Sequence, residues 1–300
     1  MLAKCLDGLA TQRAPAWEVV VVRRRDDVET ADVLRRSPVA VVEVLVDDPG
    51  VVAAMRAGVV ASTGDVVAFT DDDAVPRKDW LTGLLRHYVD ADVGGVGGRD
   101  VTQPPHPDET PLQSSKVGRV TAWGRHVGFH HVGHGPAVEV DVLKGVNMSF
   151  RRAAYAVPIG LRGEGAQVHH EMASSLWARG RGWRLIYDPA AVVDHYHGPR
   201  FDEDQRRKPT RRATQDEAHN LVMSILSHRP ELAARRLAFG LLVGDRATPG
   251  LMRGAAGLVK RQPDVLRKVV PSVLGQVQAW RAVRSGGPLQ MALFSQPAPD

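Results

Sequence analysis

The sequence predicts an α/β fold: a mostly parallel sheet flanked by helices, with a helical C-terminal extension. Three observations predict it. Short β-branched runs alternate with helix-length segments through residues 1–98, the pattern of strands joined by helical crossovers. The runs are β-branched and short enough for buried strands. Beyond residue 212 the strand-like runs stop and amphipathic segments follow one another.

In chain order, residues 1–12 read as a helix with Leu2, Leu6 and Leu9 on one face. Trp17–Val22 is a strand, Asp27–Arg36 a helix stopped by Pro38, and Val39–Val46 a second strand. Asp48-Pro49-Gly50 is a turn into an Ala-rich helix over 51–62. Val66–Thr70 is a third strand, Asp79–Val89 a helix and Val93–Val96 a short strand. Residues 99–137, rich in Pro, Gly and His, read as one long functional loop. Val138–Leu143 alternates like a strand, Asn147–Ala156 reads as the start of a short helix, and 157–168 as a Gly-rich loop. His169–Arg179 is a helix; Arg184–Tyr187 and Ala191–Val193 are short strands. The stretch after Pro199 turns polar and basic through Lys208 and Arg212. Helices near 215–228, 231–243, 251–261 and 264–284 follow, with a disordered end after Ser285. Two domains are expected, 1–200 and 201–300.

At 300 residues, 43% apolar and 24% charged, the chain has ordinary globular composition, which excludes collagen-like, low-complexity and disulfide-scaffold proteins. Cys5 has no second cysteine to pair with. Charge is uneven: residues 201–300 hold 16 Lys+Arg against 9 Asp+Glu, while 1–200 hold 23 against 25. A basic tail fits an anionic neighbour. Aromatic residues do not interleave with it, so nucleic acid is not an expected partner. No run of 18 apolar residues exists to span a bilayer. The expectation is a cytoplasmic protein, with the tail either touching the inner face of an anionic membrane or packing as ordinary helices.

Asp71-Asp72-Asp73 directly follows the Val66–Thr70 strand. Ligands of open α/β sheets bind beyond the carboxyl ends of strands. Adjacent carboxylates there repel one another unless a cation sits among them. Mg²⁺ and Mn²⁺ favour such oxygen ligands and bridge them to a diphosphate. An acidic turn before the next helix is the plainer alternative.

The runs Gly50–Gly58, Gly64–Pro76 and Asp79-Trp80-Leu81 together resemble the nucleotide-sugar half of family 2 glycosyltransferases, which have the GT-A fold. The resemblance covers about residues 1–200. It implies that the triplet is the family's D-x-D motif, with Asp73 and Asp71 on a divalent metal, Mg²⁺ or Mn²⁺, and Asp71 and Asp72 toward the nucleotide-sugar donor. Lys144-Gly145-Val146-Asn147, running on to Arg151, resembles the segment lining the donor-sugar and acceptor region, so Lys144, Gly145 and Asn147 are implied binding residues. Asn147 as a helix N-cap is the structural alternative. Glu171, in His169-His170-Glu171, falls where the family has its catalytic Asp, the general base of inverting members. His195, with His197 as the alternative, falls where a His sits near the metal or diphosphate. The His126, His130, His131 and His134 loop lacks cysteine partners and fits acceptor contact better than zinc.

The resemblance implies an inverting sugar transfer to a saccharide or lipid-linked acceptor in cell-surface polysaccharide or glycolipid synthesis. It also has gaps. Relatives begin with a strand that cradles the nucleotide base, whereas this chain begins in the helix that usually follows; losing that strand exposes hydrogen-bonding groups on its neighbour. Their second strand ends with a base-contacting Asp, whereas here Arg23-Arg24-Arg25 intervene before Asp26 and Asp27, so Asp27 is a substitute contact. Met55-Arg56 replaces the usual Arg-Asn pair. A catalytically inactive relative that binds a partner through its tail is the competing expectation. A nucleotidyltransferase would need a Gly-rich loop with a Lys near the N-terminus, and none is visible.

Overall fold

The computed structural model describes residues 1–105, 109–163, 165–198 and 209–294. The expected boundary at 200/201 and the basic stretch 199–208 lie outside the described residues. Helix α1 (Leu2–Ala10) precedes β1 (Val19–Arg24), α2 (Val28–Leu34), β2 (Val41–Val46), α3 (Val51–Ala61) and β3 (Val66–Thr70). A turn leads to β4 (Ala74–Pro76), α4 (Trp80–Leu85) and β5 (Val93–Thr102). After β6 (Val138–Val140) come β7 (Asn147–Arg151), β8 (Ala156–Ile159), α5 (His170–Gly180) and β9 (Arg184–His195). The extension is α6 (Arg211–His228), α7 (Ala233–Leu242), α8 (Leu251–Val259), α9 (Pro263–Gly286) and a last strand, β10 (Gln290–Leu293).

The central sheet runs β6-β9-β5-β7-β3, with β4 added to the end of β9. Only β5 and β9 pair in parallel within it; β6–β9, β5–β7, β7–β3 and β4–β9 are antiparallel. The sheet is therefore mixed, which corrects the mostly parallel expectation. The physical reason is β7, expected as a helix start. Met148 and Phe150 point into one core cluster, while Ser149 faces the other side and bonds Val96 O (2.8 Å) and Tyr88 Oη (2.9 Å). That period-2 division satisfies both faces of a sheet and no helix.

Two further elements are longer than expected. Glycines made Val93–Thr102 look like loop after Val96, yet they allow close packing: a Cβ on Gly98 would lie 1.8 Å from Ala191 O, where the β5–β9 register shifts between Asp188 and Val192. The same bulge joins the two short strands expected at 184–187 and 191–193 into one. The expected disordered end is instead helix to Gly286 and strand β10 on β8, with 295–300 outside the described residues.

Apolar clusters cover both sheet faces. One gathers Met148, Phe150, Tyr155, Trp177 and Leu185; the other Trp80, Leu84, Tyr88, Val96 and Ile186. A third joins Met172 and Leu176 of α5 to Leu221, Ile225 and Ala279 of the extension, so the tail helices share a core with the sheet domain. The β1–β2 pair forms its own sheet: among the described residues, β1 pairs only with β2 and β3 only with β7. Residues of both β1 and β3 line one large cavity, together with Leu2, Cys5 and Leu6 of α1.

Candidate active site

That cavity, about 1360 Å³, extends from the β1–β3 gap to the carboxyl end of β3. Its polar end brings together Asp71, Asp72, Asp100, Lys144, Gly145, His170, Glu171, His195 and His197. The chain builds it by reversing direction at the triplet. Ala74 N donates to Asp71 O (3.1 Å), closing a turn, and β4 then pairs with β9 so that Ala74 sits opposite His195. Arg77 clamps Asp194 with two hydrogen bonds (2.8 and 2.7 Å), and Gln103 adds a third (2.8 Å).

This register sets His195 against Asp73, with Nε2 3.2 Å from Oδ1. Gly198 N donates to the other oxygen of Asp73 (2.7 Å), and His197 Nδ1 lies 3.1 Å from His195 Nε2. On the far side of the ring, His195 Nδ1 lies 3.8 Å from Asp100 Oδ2, too far for a hydrogen bond but close enough for strong attraction. Burial disfavours the charged ring, but Asp100, Asp73 and Asp71 outweigh it and hold His195 up at about 9. Asp71 and Asp72 move the other way from typical carboxylates: burial, then the charge of Asp73, raises both. Asp71 is accessible to solvent yet walled by protein, as befits a cavity floor. Cys5 beneath the triplet is pushed up to about 12 by burial and then by Asp72, Asp71 and Asp73, so its thiol is inert.

The donor set suits a hard or borderline divalent ion. Asp71, Asp73 and His195 each place a ligand atom within 4.8 Å of the others.

Glu171 lines the same cavity. It lies in the first turn of α5, whose N-cap, His169, takes left-handed backbone (φ 76°). The Gly145 turn packs on that helix end: a Cβ there would lie 3.3 Å from His170 Cε1. Burial would raise the Glu171 acid, but His170 (Nε2 3.6 Å from Oε2), Lys144 and His169 hold it down at about 2. The carboxylate is thus ionised at any working pH. The Lys144 ammonium lowers both Glu171 and Asp100 and so links the two ends of the site.

Two expected residues sit differently. Asn147 is fully buried; its Oδ1 accepts from Trp80 Nε1 (2.8 Å) and its Nδ2 donates to Arg99 O (3.1 Å) and Ala191 O (3.0 Å). It braces the strands behind the cavity and opens a strand, which corrects its helix-cap expectation. Asp27 caps α2, accepting from Thr30 N (2.9 Å), outside the cavity wall. Within the His loop, His130 anchors to Val142 O (2.9 Å), and His126 lines the cavity. Asp100 joins the site without having been expected there; its placement after the Gly-rich half of β5 hid it in an apparent loop.

Solved structures of known glycosyltransferases share this architecture. Mannosyltransferase PcManGT from Pyrobaculum calidifontis, solved with GDP-Man and Mn²⁺, is similar over 95% of this chain and 84% of its own at 18% identity and TM-score 0.51. S. aureus TarS 1-349 with UDP-GlcNAc is similar over 98% and 93% at 13% identity and TM-score 0.58. The fold is that of the GT-A glycosyltransferases. Residues 1–213 match the model of glycosyltransferase-like family 2, and the chain belongs to that family. A pre-mycofactocin glycosyltransferase of Mycobacterium tuberculosis is 45% identical over 53 residues, 18% of this chain and 11% of that one. A glucosyl-dolichyl phosphate glucuronosyltransferase of Haloferax volcanii is 30% identical over 158 residues, 50% of this chain and 48% of that one. The chain thus spans at most about half the length of either relative.

Proposed function

We propose that the chain transfers a sugar, with inversion, from a nucleoside-diphosphate sugar to an acceptor hydroxyl. The observation that carries this reading is the shared cavity: an ionised carboxylate, Glu171, lines it together with Asp71 and His195, and Asp73 places a ligand atom within 4.8 Å of those of Asp71 and His195. Asp71, Asp73 and His195 would hold Mg²⁺ or Mn²⁺, which when bound neutralises charge growing on the leaving diphosphate. Asp72, Lys144 and Gly145 border the donor. Asp27, which caps α2 outside the cavity, acts on the donor side only through its charge, which raises Asp72.

Glu171 accepts the acceptor hydroxyl's proton as that oxygen attacks the anomeric carbon from the face opposite the diphosphate. A carboxylate held near 2 is a weak base, so its proton gain is concerted with bond formation rather than ahead of it. Lys144 and His170 keep it ionised and oriented. The acceptor is a saccharide or a lipid-linked sugar in cell-surface polysaccharide or glycolipid synthesis, met at an anionic membrane through the basic extension. In support, the H. volcanii relative is by name a glucosyl-dolichyl phosphate glucuronosyltransferase.

The test is transfer from a panel of UDP- and GDP-sugars with Mn²⁺. Glu171→Gln is expected to bind donor as wild type does and to lose about 10²–10⁴-fold in turnover. Unchanged turnover would remove Glu171 from the reaction.

A further inference from the structure

The α8–α9 hairpin presents an exposed apolar face. Gly254 and Gly257 let α8 approach α9 closely: added Cβ atoms would lie 2.8 Å from Val269 and 3.1 Å from Val265. On α9 the stripe begun by Val265 and Val269 continues as Ser272, Gly275, Gln276 and Ala279, which are buried toward the rest of the molecule, with Gly275 against Gln215 and Ala218 of α6. Helical spacing from the Gly254 and Gly257 seam fixes what remains of α8. The outward arc of α8 is Leu251, Met252, Ala255, Ala256, Leu258 and Val259, with no charged or polar side chain in it. Leu266 and Val270, four apart on α9, lie off its buried stripe and are exposed. Exposure is high for side chains of this kind: 84% for Val259, 67% for Leu258, 63% for Met252, 56% for Leu251 and 53% for Val270.

Scattered exposed apolar residues are ordinary, but a continuous helix face of them is a docking surface. Charge decides the occupant. From residue 246 to 270 the chain carries Arg246, Arg253, Lys260, Arg261, Arg267 and Lys268 against Asp264 alone. An apolar helix face rimmed by basic side chains matches a bilayer with anionic headgroups, where the leucines enter the acyl boundary and the cations stay at the phosphates. We infer that the α8–α9 hairpin lies in the interface of an anionic membrane, with Leu251, Leu258 and Val259 of α8 inserted. No helix among the described residues is long and apolar enough to cross a membrane, so the mode is docking. The apolar run Leu237–Val243 contributes less: Leu237 packs into the core shared with α5 and α6. The inference rests on the reading of a membrane-borne acceptor and names the surface that meets it.

The experiment is vesicle flotation of the full chain, with light scattering in parallel. Vesicles are phosphatidylcholine alone or mixed equally with phosphatidylglycerol, at low and high salt. Wild type is expected to float with the anionic vesicles, more weakly at high salt. Leu258→Glu/Val259→Glu is expected to lose at least about tenfold in partition, since two apolar side chains no longer enter the acyl boundary, while unfolding at the wild-type temperature. Arg267→Glu/Lys268→Glu is expected to lose the preference for anionic vesicles. Wild type that ignores both vesicle types at low salt would overturn the inference, as would unchanged partition in the Glu variant. A wild-type dimer that the Glu variant splits, with no flotation, would assign the face to a second copy instead. Flotation needs neither donor nor turnover, so transfer to a soluble saccharide acceptor separates failure of this surface from failure of the transferase reading.

Discussion

His195 carries a proton in the metal-free protein and cannot keep it as a metal ligand, because the ion needs the neutral ring. Its group is held up at about 9 by Asp100, Asp73 and Asp71 against the pull of burial. Two opposite pH dependences follow. In the metal-free chain the raised group adds stability that is fully present below about 6.5, its ordinary value, and is lost as pH rises through about 9. Mn²⁺ affinity runs the other way: binding releases a proton, so it tightens by about tenfold per pH unit across that window. Calorimetric titration of Mn²⁺ at pH 6.5, 7.5 and 8.5 is the check. A flat profile would mean that His195 does not ligate the ion. Glu171 contributes nothing to this window, since it is ionised throughout.

At the scale of elements, the site depends on strands that meet at Asn147. Its amide joins Trp80 of α4, Arg99 of β5 and Ala191 of β9. Asn147→Ala leaves the buried Trp80 N–H and two carbonyls without that partner, at a cost of about 2–4 kcal/mol. Urea unfolding should show a lower midpoint with an unchanged slope; a midpoint equal to wild type would contradict the bracing role. Which elements the sequence revealed has a physical basis. Val66–Thr70 with the triplet was legible because a buried β-branched run that delivers three carboxylates to one sheet end needs a cation to offset their repulsion. β7 was hidden because Asn147 before a mixed segment resembles a helix cap, and only its partners on both sides make it a strand. β5 was cut short because its glycines signal loop unless the neighbouring backbone at Ala191 is known. The His195–Asp73 pairing is set by the β4–β9 register, and a turn of three acids does not announce its partner 122 residues later.

At the scale of the whole molecule, the sheet and the helical extension share the core around Met172, Leu176, Leu221 and Ile225. That core places the basic, apolar hairpin on the same body as the cavity. The cavity itself joins two regions of different character. Beside β1 and β3 it is apolar, lined by Val19, Val21, Val67 and Phe69; at the triplet it is ionic. The acidic end was readable from the sequence because carboxylate chemistry is local. The apolar end was not, because it is lined by strands brought together over long separations. The central claim is that the acidic floor binds donor through an ion. The direct measurement is calorimetric binding of UDP and GDP to wild type and Asp73→Asn, with Mn²⁺ and with chelator. The expected result is binding of at least one nucleotide by wild type only when Mn²⁺ is present, and its loss in Asp73→Asn. Equal affinity with ion and with chelator, or in both proteins, would contradict the claim.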